Sequence, residues 1–353
     1  MAPADRRPAR LKDVAAAAGV SKTTASRILN GDTENFGKET CARVKETASR
    51  LGWRRNLLID GMQKGRSKTV GVMIPPHDSF WVGVLAGIHI TLAEADYLPI
   101  TIWIGDCREF PEFNDDDTAG VEQINRLLDR RVDGLILWPS FAVAYYDHYR
   151  ELIERRVPVV SIDHRLPDEV HADSIETDEL AGATCVAEHL IGLGHKQIAC
   201  FGARETEWQG WSVRRRQLFE EAVASRGGSV VRSWKTNESG SDGLEVAKQV
   251  LTSSPRPTAV FAVSDHQARI LYRAAADLGL RVPKDVSIVG YADLDFADEL
   301  SPPLTTMRQQ PIEIGRQAAQ AVLERQADEA SMATGRVISV RPELVVRAST
   351  SRP

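Results

Sequence analysis

The sequence predicts an α/β protein in which a small helical head precedes two lobes, each built on a doubly wound parallel sheet. Two observations lead to this fold class. Residues 11–51 carry helical apolar periodicity interrupted by glycine, whereas from residue 70 onward short apolar, β-rich runs alternate with helical periods. Strands that are apolar throughout are typical of parallel sheets covered by helices on both faces. At 353 residues the chain also exceeds the size of one ordinary core.

Composition restricts the class of protein. The chain is 42% hydrophobic and 26% charged. It contains no apolar run of about 18 residues that could span a membrane, and no apolar stretch follows the basic N-terminus as in a secretion signal. The four cysteines are far apart, which argues against a structural zinc site and, without an export signal, against disulfides. A soluble cytoplasmic protein without metal or cofactor is therefore expected.

Charge is unevenly distributed along the chain. Residues 1–69 contain 15 Lys and Arg against 7 Asp and Glu, whereas the remainder contains 29 against 42. A basic head on an acidic body is expected if only the head contacts phosphate groups. A solvated basic tail is the alternative, but these charges are interleaved with apolar periodicity.

The segment LKDVAAAAGVSKTTASRILN, residues 11–30, predicts two short helices joined by a tight turn. Gly19 interrupts the first helix, and Ser21 is a favourable N-cap for the second. The buried stripe of the second helix would comprise Thr24, Ala25, Ile28 and Leu29. Its polar face would comprise Lys22, Thr23, Ser26 and Arg27. A third helix ends at Leu51-Gly52, so the head has the helix-turn-helix pattern, with an ordinary αα-hairpin as the alternative.

The order of these parts resembles the lac repressor (LacI/GalR) family of bacterial transcriptional regulators, nearly from end to end. The head looks like the family's KDVAxxAGVSxxTVSRVLNG, with Ala25 in place of Val. Further similar segments follow in the family's order: DGLILWPS (133–140), EHLIGLGHKQIACFG (188–202), SIVGYADLD (287–295), SPPLTTMRQ (301–309) and PELVVRAST (342–350).

This resemblance implies a regulator, usually a repressor, that binds operator double-stranded DNA as a homodimer, with a tetramer as the alternative. Its two lobes would be of periplasmic-binding-protein type, and a small-molecule effector would bind between them. The implied domains are a flexible arm (1–10), a helix-turn-helix domain (11–55), a hinge (56–69) and an effector-binding and dimerisation core (70–353). The first lobe would comprise about 70–161 plus 308–326, and the second about 162–307 plus 327–353. The chain would cross between the lobes near Ile162, Met307 and Ala327, and hinge closure would be the switch.

By this likeness, Lys22, Thr23 and Arg27 occupy the base-reading positions of the second helix. Arginine can donate two hydrogen bonds to guanine, and lysine and threonine can reach base edges or phosphates. Thr24 and Ser26 carry short hydroxyls suited to capping or phosphate contact. For Ser26, an ordinary serine on a helix surface is an equal alternative.

The hinge departs from the family's pattern NxxARxL. Asn56 matches and is expected to contact DNA, but Ile59, Asp60 and Met62 replace Ala, Arg and Leu. Met62 would act as an apolar wedge in the minor groove. Asp60 would repel phosphate unless it faces away from the duplex.

The effector site is expected beyond the C-terminal ends of the strands, where doubly wound sheets bind ligands. Six of the seven tryptophans follow or end predicted strands, which suits a sugar or a flat ring. The aromatic candidates are Phe80, Trp81, Trp138 and Trp234. The polar candidates are Arg215, Ser264, Asp265 and Asp293, carried over from the family, and Arg165, which follows a strand together with Asp163. For these last two residues, a surface salt bridge is an equal alternative.

The nature of the effector follows partly from departures from the family. Ser264 and Ala292 replace an Asn and an Asp that often bind hydroxyl groups in sugar-responsive members. A larger, modified or more apolar effector, such as an oligosaccharide or glycoside, is therefore favoured over a standard hexose. A nucleobase or another non-sugar ligand is the alternative.

Two other classes of protein are weighed against a regulator. The sequence contains no GxSxG elbow, no P-loop, no GxGxxG after a strand and no metal-ligand spacing, so an enzyme is not favoured. An exported solute-binding protein would have similar lobes. The basic head and the missing secretion signal argue against it.

Overall fold

The computed structural model describes residues 9–54, 66–75, 78–103, 118–139, 144–202, 210–227, 229–234, 242–328 and 334–353. The chain divides into two compact units, Met1–Ser67 and Lys68–Pro353. The predicted hinge contacts Asn56 and Met62, together with Asp60 and Trp208, lie outside the described residues. No helix in the described ranges is long and apolar enough to cross a membrane.

The head is a bundle of three helices. They are α1 (Leu11–Ala17), α2 (Lys22–Leu29) and α3 (Lys38–Arg50). Gly19 adopts φ +67°, a left-handed conformation that glycine reaches without steric cost, and it turns the chain between α1 and α2. The hydroxyl of Ser21 then accepts a hydrogen bond from the amide of Thr24 at 3.0 Å, so the predicted N-cap is confirmed.

The head has its own apolar core. Ala25 and Ile28 of α2 are fully buried and pack with Val14 of α1 and with Val44 and Ala48 of α3. The predicted stripe of α2 is confirmed at these two positions, whereas Thr24 and Leu29 are only half-buried. The opposite face of α2 is thereby left to solvent.

The second unit contains two sheets with helices on their faces. Its strands are β1 (Thr69–Ile74), β2 (Leu98–Trp103), β3 (Gly134–Leu137), β4 (Val159–Ile162), β5 (Asp173–Thr177), β6 (Gln197–Phe201), β7 (Ser229–Trp234), β8 (Ala259–Ala262), β9 (Ser287–Ala292), β10 (Thr305–Arg308), β11 (Val337–Val340) and β12 (Glu343–Val345). Its helices are α4 (Ser79–Glu94), α5 (Thr118–Asp129), α6 (Ala144–Glu154), α7 (Glu179–Gly192), α8 (Gly210–Ala224), α9 (Gly243–Thr252), α10 (Asp265–Asp277) and α11 (Pro311–Ala327).

Within the described residues, each sheet has six strands. The first has the order β11-β5-β4-β3-β1-β2, and all its neighbouring pairs are parallel. The second has the order β12-β10-β9-β8-β6-β7, in which only the β10–β12 pair is antiparallel. The predicted pair of doubly wound lobes is confirmed.

Two of the three predicted crossings between the lobes need correction. β5 pairs with β4, so the first lobe continues to Thr177 and the chain crosses there instead of near Ile162. β11 pairs with β5, so the last crossing lies between Val340 and Glu343 instead of near Ala327. Both strands were missed because β5 is short and polar at several positions, and β11 is an edge strand with an exposed face. The remaining crossing follows Arg308, close to the predicted position.

Helix α11 returns to the first lobe and packs closely against α4. A Cβ at Gly315 of α11 would overlap the carbonyl oxygen of Val84, and one at Gly87 of α4 would overlap that of Ile312. The two glycines therefore allow backbone-to-backbone approach at the helix crossing. Although α11 follows β10, a strand of the second lobe, this contact holds the helix against the first lobe.

We expect Gly315→Ala to destabilise the 68–353 unit by about 2 kcal/mol or more, because the added methyl must displace backbone rather than a flexible side chain. Urea unfolding of the full chain measures the change. Gly192→Ala, in α7, is the matched control: a Cβ there meets nothing within 4 Å, and its unfolding free energy should be unchanged or slightly raised. Equal free energies of unfolding for the two variants would contradict the close packing of α11 against α4.

Candidate functional site

The solvent-facing side of α2 presents the predicted DNA-reading side chains. Lys22, Thr23 and Arg27 are exposed, whereas Thr24 and Ser26 are half-buried. The Thr24 hydroxyl shares a hydrogen bond of 2.8 Å with that of Ser21, so it belongs to the cap of the helix. This face combines two cations and a hydroxyl.

Arg27 is already engaged within the head. Its Nε donates to Oδ2 of Asp32 at 2.7 Å, and its Nη2 lies 2.6 Å from the same oxygen. The guanidinium carbon lies 5.2 Å from the centroid of the Phe36 ring. Hydrogen bonds from Asn35 and Arg27 lower the pKa of Asp32. Asp32 cannot be recognised as a partner of Arg27 from the sequence, since an acid in a polar loop has no distinctive local signal.

An aromatic cluster lies at the C-terminal edge of the first sheet. Trp81 at the start of α4 is 5% exposed, and its ring lies 5.0 Å from that of Phe80. Trp138, just after β3, contacts Trp81 edge to face at 6.4 Å and His164 at 5.6 Å. Burial lowers the pKa of His164 to about 4, so its ring is neutral near pH 7. Three of the predicted aromatic residues are therefore brought together.

A charged cluster is centred on Arg215 of α8. The side chain is buried and donates through Nε and Nη2 to both carboxylate oxygens of Glu179, at 2.7 and 2.6 Å. Its Nη1 donates to the carbonyl oxygen of Val263 at 2.7 Å. The guanidinium lies 3.5 Å from the centroid of the Tyr291 ring and 4.7 Å from that of Trp211. These contacts hold the predicted Arg215 in place, and Glu179 neutralises its charge.

Asp163 connects the aromatic and charged clusters. It follows β4 with φ +62° and precedes His164 in the chain. Burial of the carboxyl group, together with the negative charge of Glu179, raises its pKa to about 7, and the charge of Arg215 only partly offsets this. An ionisable group that titrates near neutrality at the junction of two lobes is a candidate ligand contact.

Contacts between the lobes border this site. The hydroxyl of Ser79, in the first lobe, accepts a hydrogen bond of 3.2 Å from the amide of Asp295 in the second. Oδ2 of Asp78 lies 3.7 Å from Nε2 of His266 on α10. The apolar core of the first lobe also includes Leu294. Residues of both lobes therefore meet beside the aromatic cluster, and the cleft is expected at this junction.

Other predicted ligand residues have internal partners. Arg165 forms a bidentate pair with Glu176, at 2.6 and 3.0 Å, which is the salt-bridge role weighed as its alternative. Asp293 is paired with Arg308 and Arg347, each at 2.7 Å.

Asp265 and Ser264 support the fold around the cleft. Asp265 is fully buried, and its oxygens accept hydrogen bonds from the amide of Leu294 at 2.8 Å and the hydroxyl of Thr306 at 2.6 Å. Burial raises the pKa of Asp265 to about 6. Ser264 is hydrogen-bonded to Gln267. Asp265 therefore positions the loop after β9 through these hydrogen bonds, and its contact with an effector stays a prediction.

The tryptophans divide between the cleft and other environments. Trp81, Trp138 and Trp211 lie in the two clusters described above. Trp234, a predicted ligand residue, packs against the apolar core beneath α9 and α10. Trp103 is 53% exposed at the end of the edge strand β2. Trp234 therefore has a packing role in the second lobe, and its contact with an effector stays a prediction.

Three members of the site cannot be recognised from the sequence, namely Glu179, Tyr291 and His164. Glu179 is 36 residues from Arg215 in sequence, so no local pattern pairs them. Tyr291 lies inside a strand that reads as ordinary core. Among the described residues, no group of His, Cys, Asp and Glu side chains could hold a metal ion.

The fold and the site define a class of protein: a helix-turn-helix head followed by a two-lobed, ligand-binding core. Residues 10–56 match the family model for bacterial regulatory proteins of the lacI family, and residues 187–350 match a periplasmic binding protein-like domain. The chain therefore combines a LacI-family helix-turn-helix domain with a periplasmic-binding-protein-like domain. It is a DNA-binding transcriptional repressor with an effector-binding domain, and it is not an enzyme.

Known relatives cover the whole architecture. The HTH-type transcriptional repressor PurR of Photobacterium profundum is 29% identical over 97% of this chain and 98% of its own. The PurR repressor of Haemophilus influenzae (strain PittEE) is 28% identical over 97% and 98%. Among solved structures, the lac repressor dimer bound to operator and the anti-inducer ONPF superposes with a TM-score of 0.81 at 23% identity, covering 98% of this chain and 100% of that one. The complex of the regulator CelR with cellobiose gives 0.67 at 25% identity, covering 97% and 99%.

We expect the stability of the chain to depend on Asp163 between pH 4 and pH 7. Its pKa is raised from 3.8 to about 7, so the folded chain retains this proton while the unfolded chain loses it. This contribution is fully present below pH 4 and is lost as the pH rises to 7. Asp163→Asn removes the titration, so the variant should gain about 3 kcal/mol relative to wild type between pH 4 and pH 7.

Urea unfolding at several pH values measures the difference. The exposed acid Asp168 supplies the control Asp168→Asn, for which the difference from wild type should not change in this way. A difference for Asp163→Asn that stays constant from pH 4 to pH 7 would contradict the raised pKa.

Proposed function

We propose that this repressor is a homodimer that acts in the cytoplasm and reads operator DNA through Lys22, Thr23 and Arg27 of α2. We further propose that its effector is a carbohydrate or glycoside bound between Arg215 and the aromatic cluster. The observation that carries the effector proposal is the junction of Trp81 and Trp138 with Asp163 and Arg215 at one cleft.

The DNA-reading role is supported by the exposure of these side chains on one face of a helix with its own core. The basic balance of residues 1–69 supports electrostatic attraction to phosphate. Thr24 and Ser26, which are half-buried, suit backbone contacts better than base reading. Asn56 and Met62 remain predicted hinge contacts.

Dimerisation is supported by an apolar surface on the first lobe. Val82 and Ile90 of α4 are 62% and 42% exposed, and Leu98 and Trp103 at the ends of the edge strand β2 are 64% and 53% exposed. Exposed apolar side chains grouped on neighbouring elements are typical of protein interfaces. A twofold dimer would present two heads to two operator half-sites.

We expect the full chain to bind a selected operator duplex with two chains per duplex and with strong salt dependence. Deletion of residues 1–66 should abolish this binding. Arg27→Ala should weaken operator binding by about 1–3 kcal/mol and relax the preference at one base pair, because a bidentate contact with a base is lost. Fluorescence anisotropy on operator variants measures both effects. Equal weakening on all duplexes would make Arg27 a phosphate contact.

The chemistry of the cleft supports a neutral, hydroxyl-rich effector. Glu179 neutralises Arg215, and a second carboxyl group, Asp163, lies in the same cluster. An anionic ligand would face two acids, whereas hydroxyl groups could donate to Asp163 and accept from the remaining N–H groups of Arg215. The flat faces of Trp81 and Trp138 suit a sugar ring.

Two solved relatives support the same class of ligand. The CelR structure contains cellobiose, and a LacI family regulator from Enterococcus faecium contains ribose, with a TM-score of 0.66 at 25% identity and coverage of 81% of this chain and 99% of that one. A nucleobase is the second candidate, because the neutral ring of His164 and the two tryptophans also suit a flat aromatic ligand.

We expect a thermal-shift screen of the full chain against mono- and disaccharides, glycosides and nucleobases to identify a glycoside or oligosaccharide. A ligand at 100 times its Kd adds about 2.7 kcal/mol of stability. Arg215→Lys should remove this shift, since lysine keeps the charge but loses the planar fork. Arg216→Lys is the matched control, because Arg216 pairs with Glu220 one turn along α8 and its loss should leave the shift unchanged. Stabilisation by nucleobases alone would overturn the carbohydrate assignment.

A further inference from the structure

We propose that Asp32 is a specificity-determining residue of the head, which orients the guanidinium of Arg27 toward one base pair of the operator. The inference rests on the proposed base-reading role of Arg27. It concerns a loop residue to which the sequence analysis gave no function.

The position of Asp32 is fixed from several directions. Its amide donates to the carbonyl oxygen of Arg27 at 3.0 Å, which ties the loop to the end of α2. Its Oδ2 is the single oxygen that faces both Nε and Nη2 of Arg27. Its Oδ1 accepts a hydrogen bond of 3.0 Å from the side chain of Asn35. Both carboxylate oxygens therefore have defined partners.

This contact selects which edge of the guanidinium is presented. Arginine has five N–H donors in a planar fork. Asp32 occupies the edge formed by Nε and Nη2, and the ring of Phe36 lies beside the group. The edge formed by Nη1 and Nη2 remains for a bidentate contact with the O6 and N7 atoms of guanine.

Stability alone does not account for this arrangement. The side chains of Arg27 and Asp32 are 50% and 33% exposed, and such exposed ion pairs contribute little to folding. A carboxylate close to the DNA-reading face also opposes binding to any phosphate backbone. A group that lowers general affinity while restricting a reading side chain raises the ratio of specific to non-specific binding.

The test uses the full chain and a duplex library with randomised positions, from which the preferred operator is selected. Anisotropy then gives Kd for that operator, for its single-base-pair variants and for an unrelated duplex. Arg27→Ala identifies the base pair that Arg27 reads. Asp32→Asn should reduce discrimination at this same base pair by about fivefold or more, since a bidentate base contact is worth about 5- to 150-fold.

Two further variants separate orientation from charge. Asn35→Ala keeps the charge of Asp32 but removes its second anchor, so it should reduce discrimination at the same base pair to a smaller extent. Glu34→Gln removes an equal charge from an exposed position in the same loop. It should raise affinity for all duplexes and leave discrimination unchanged. Thermal unfolding, monitored by circular dichroism, verifies that the head of each variant is folded. If the head of Asp32→Asn is unfolded, Asn35→Ala alone tests the proposal.

Several results would overturn the proposal. If Asp32→Asn reproduces Glu34→Gln, with uniformly higher affinity and intact discrimination, Asp32 is only a repulsive charge. Discrimination lost at a base pair that Arg27→Ala does not affect would show that Asp32 acts independently of Arg27. If Arg27→Ala relaxes no base pair, the base-reading role itself fails, and the inference fails with it. If Arg27→Ala relaxes the preference at one base pair but Asp32→Asn leaves discrimination there unchanged, the role of Asp32 is wrong while the base-reading role of Arg27 stands.

Discussion

The buried ion pair between Arg215 and Glu179 is the interaction on which the cleft depends. Glu179 begins α7 directly after the chain enters the second lobe, Arg215 lies on α8, and the carbonyl of Val263 follows β8. Three elements of the second lobe are therefore fixed at the point where the lobes meet. Removing one member of a buried pair leaves an uncompensated charge, which costs about 3–5 kcal/mol. Loss of either residue is therefore expected to destabilise the second lobe beside the cleft.

A second buried carboxylate holds α11 and β11, the segments that return to the first lobe, against the first sheet. Asp173 at the start of β5 is fully buried and contacts Arg325 of α11 at 2.5 Å, and Arg336 before β11 at 2.7 Å. These contacts hold the end of α11 and the start of β11 on the first sheet. The close packing of Gly315 against α4 fixes the other half of the same helix. Movement between the lobes is thereby restricted to the crossing segments, which suits closure about a hinge.

Much of this architecture follows from local sequence. The apolar strands, the cap at Ser21 and the glycine turn at Gly19 have strong local signals, because each satisfies a backbone requirement within a few residues. The strands β5 and β11 have no such signal, since their pairing with each other depends on tertiary contacts. Because these two strands were not predicted, two of the three crossings between the lobes were placed at the wrong positions in the sequence.

The candidate site divides in the same way. Arg27, Arg215 and the tryptophans stand out through residue type and position. Their partners do not: Glu179 is 36 residues from Arg215, and Asp265 could not be recognised as buried because its partners, Leu294 and Thr306, are 29 and 41 residues away. A sequence pattern indicates a candidate cation, but only the fold identifies its counterion.

The two arginines proposed to contact DNA and effector have a common property with a physical consequence. Arg27 in the head and Arg215 in the core are each paired with one acid. Each ligand therefore meets a guanidinium whose orientation is already fixed and whose net charge is reduced, so it gains geometric selectivity more than electrostatic attraction. At the cleft, where the pair is buried, an effector shifts the repressor only by favouring one lobe arrangement over another. Since Glu179 and Arg215 both belong to the second lobe, that preference must come from groups of the first lobe that face the pair, of which Asp163 is coupled to it by charge.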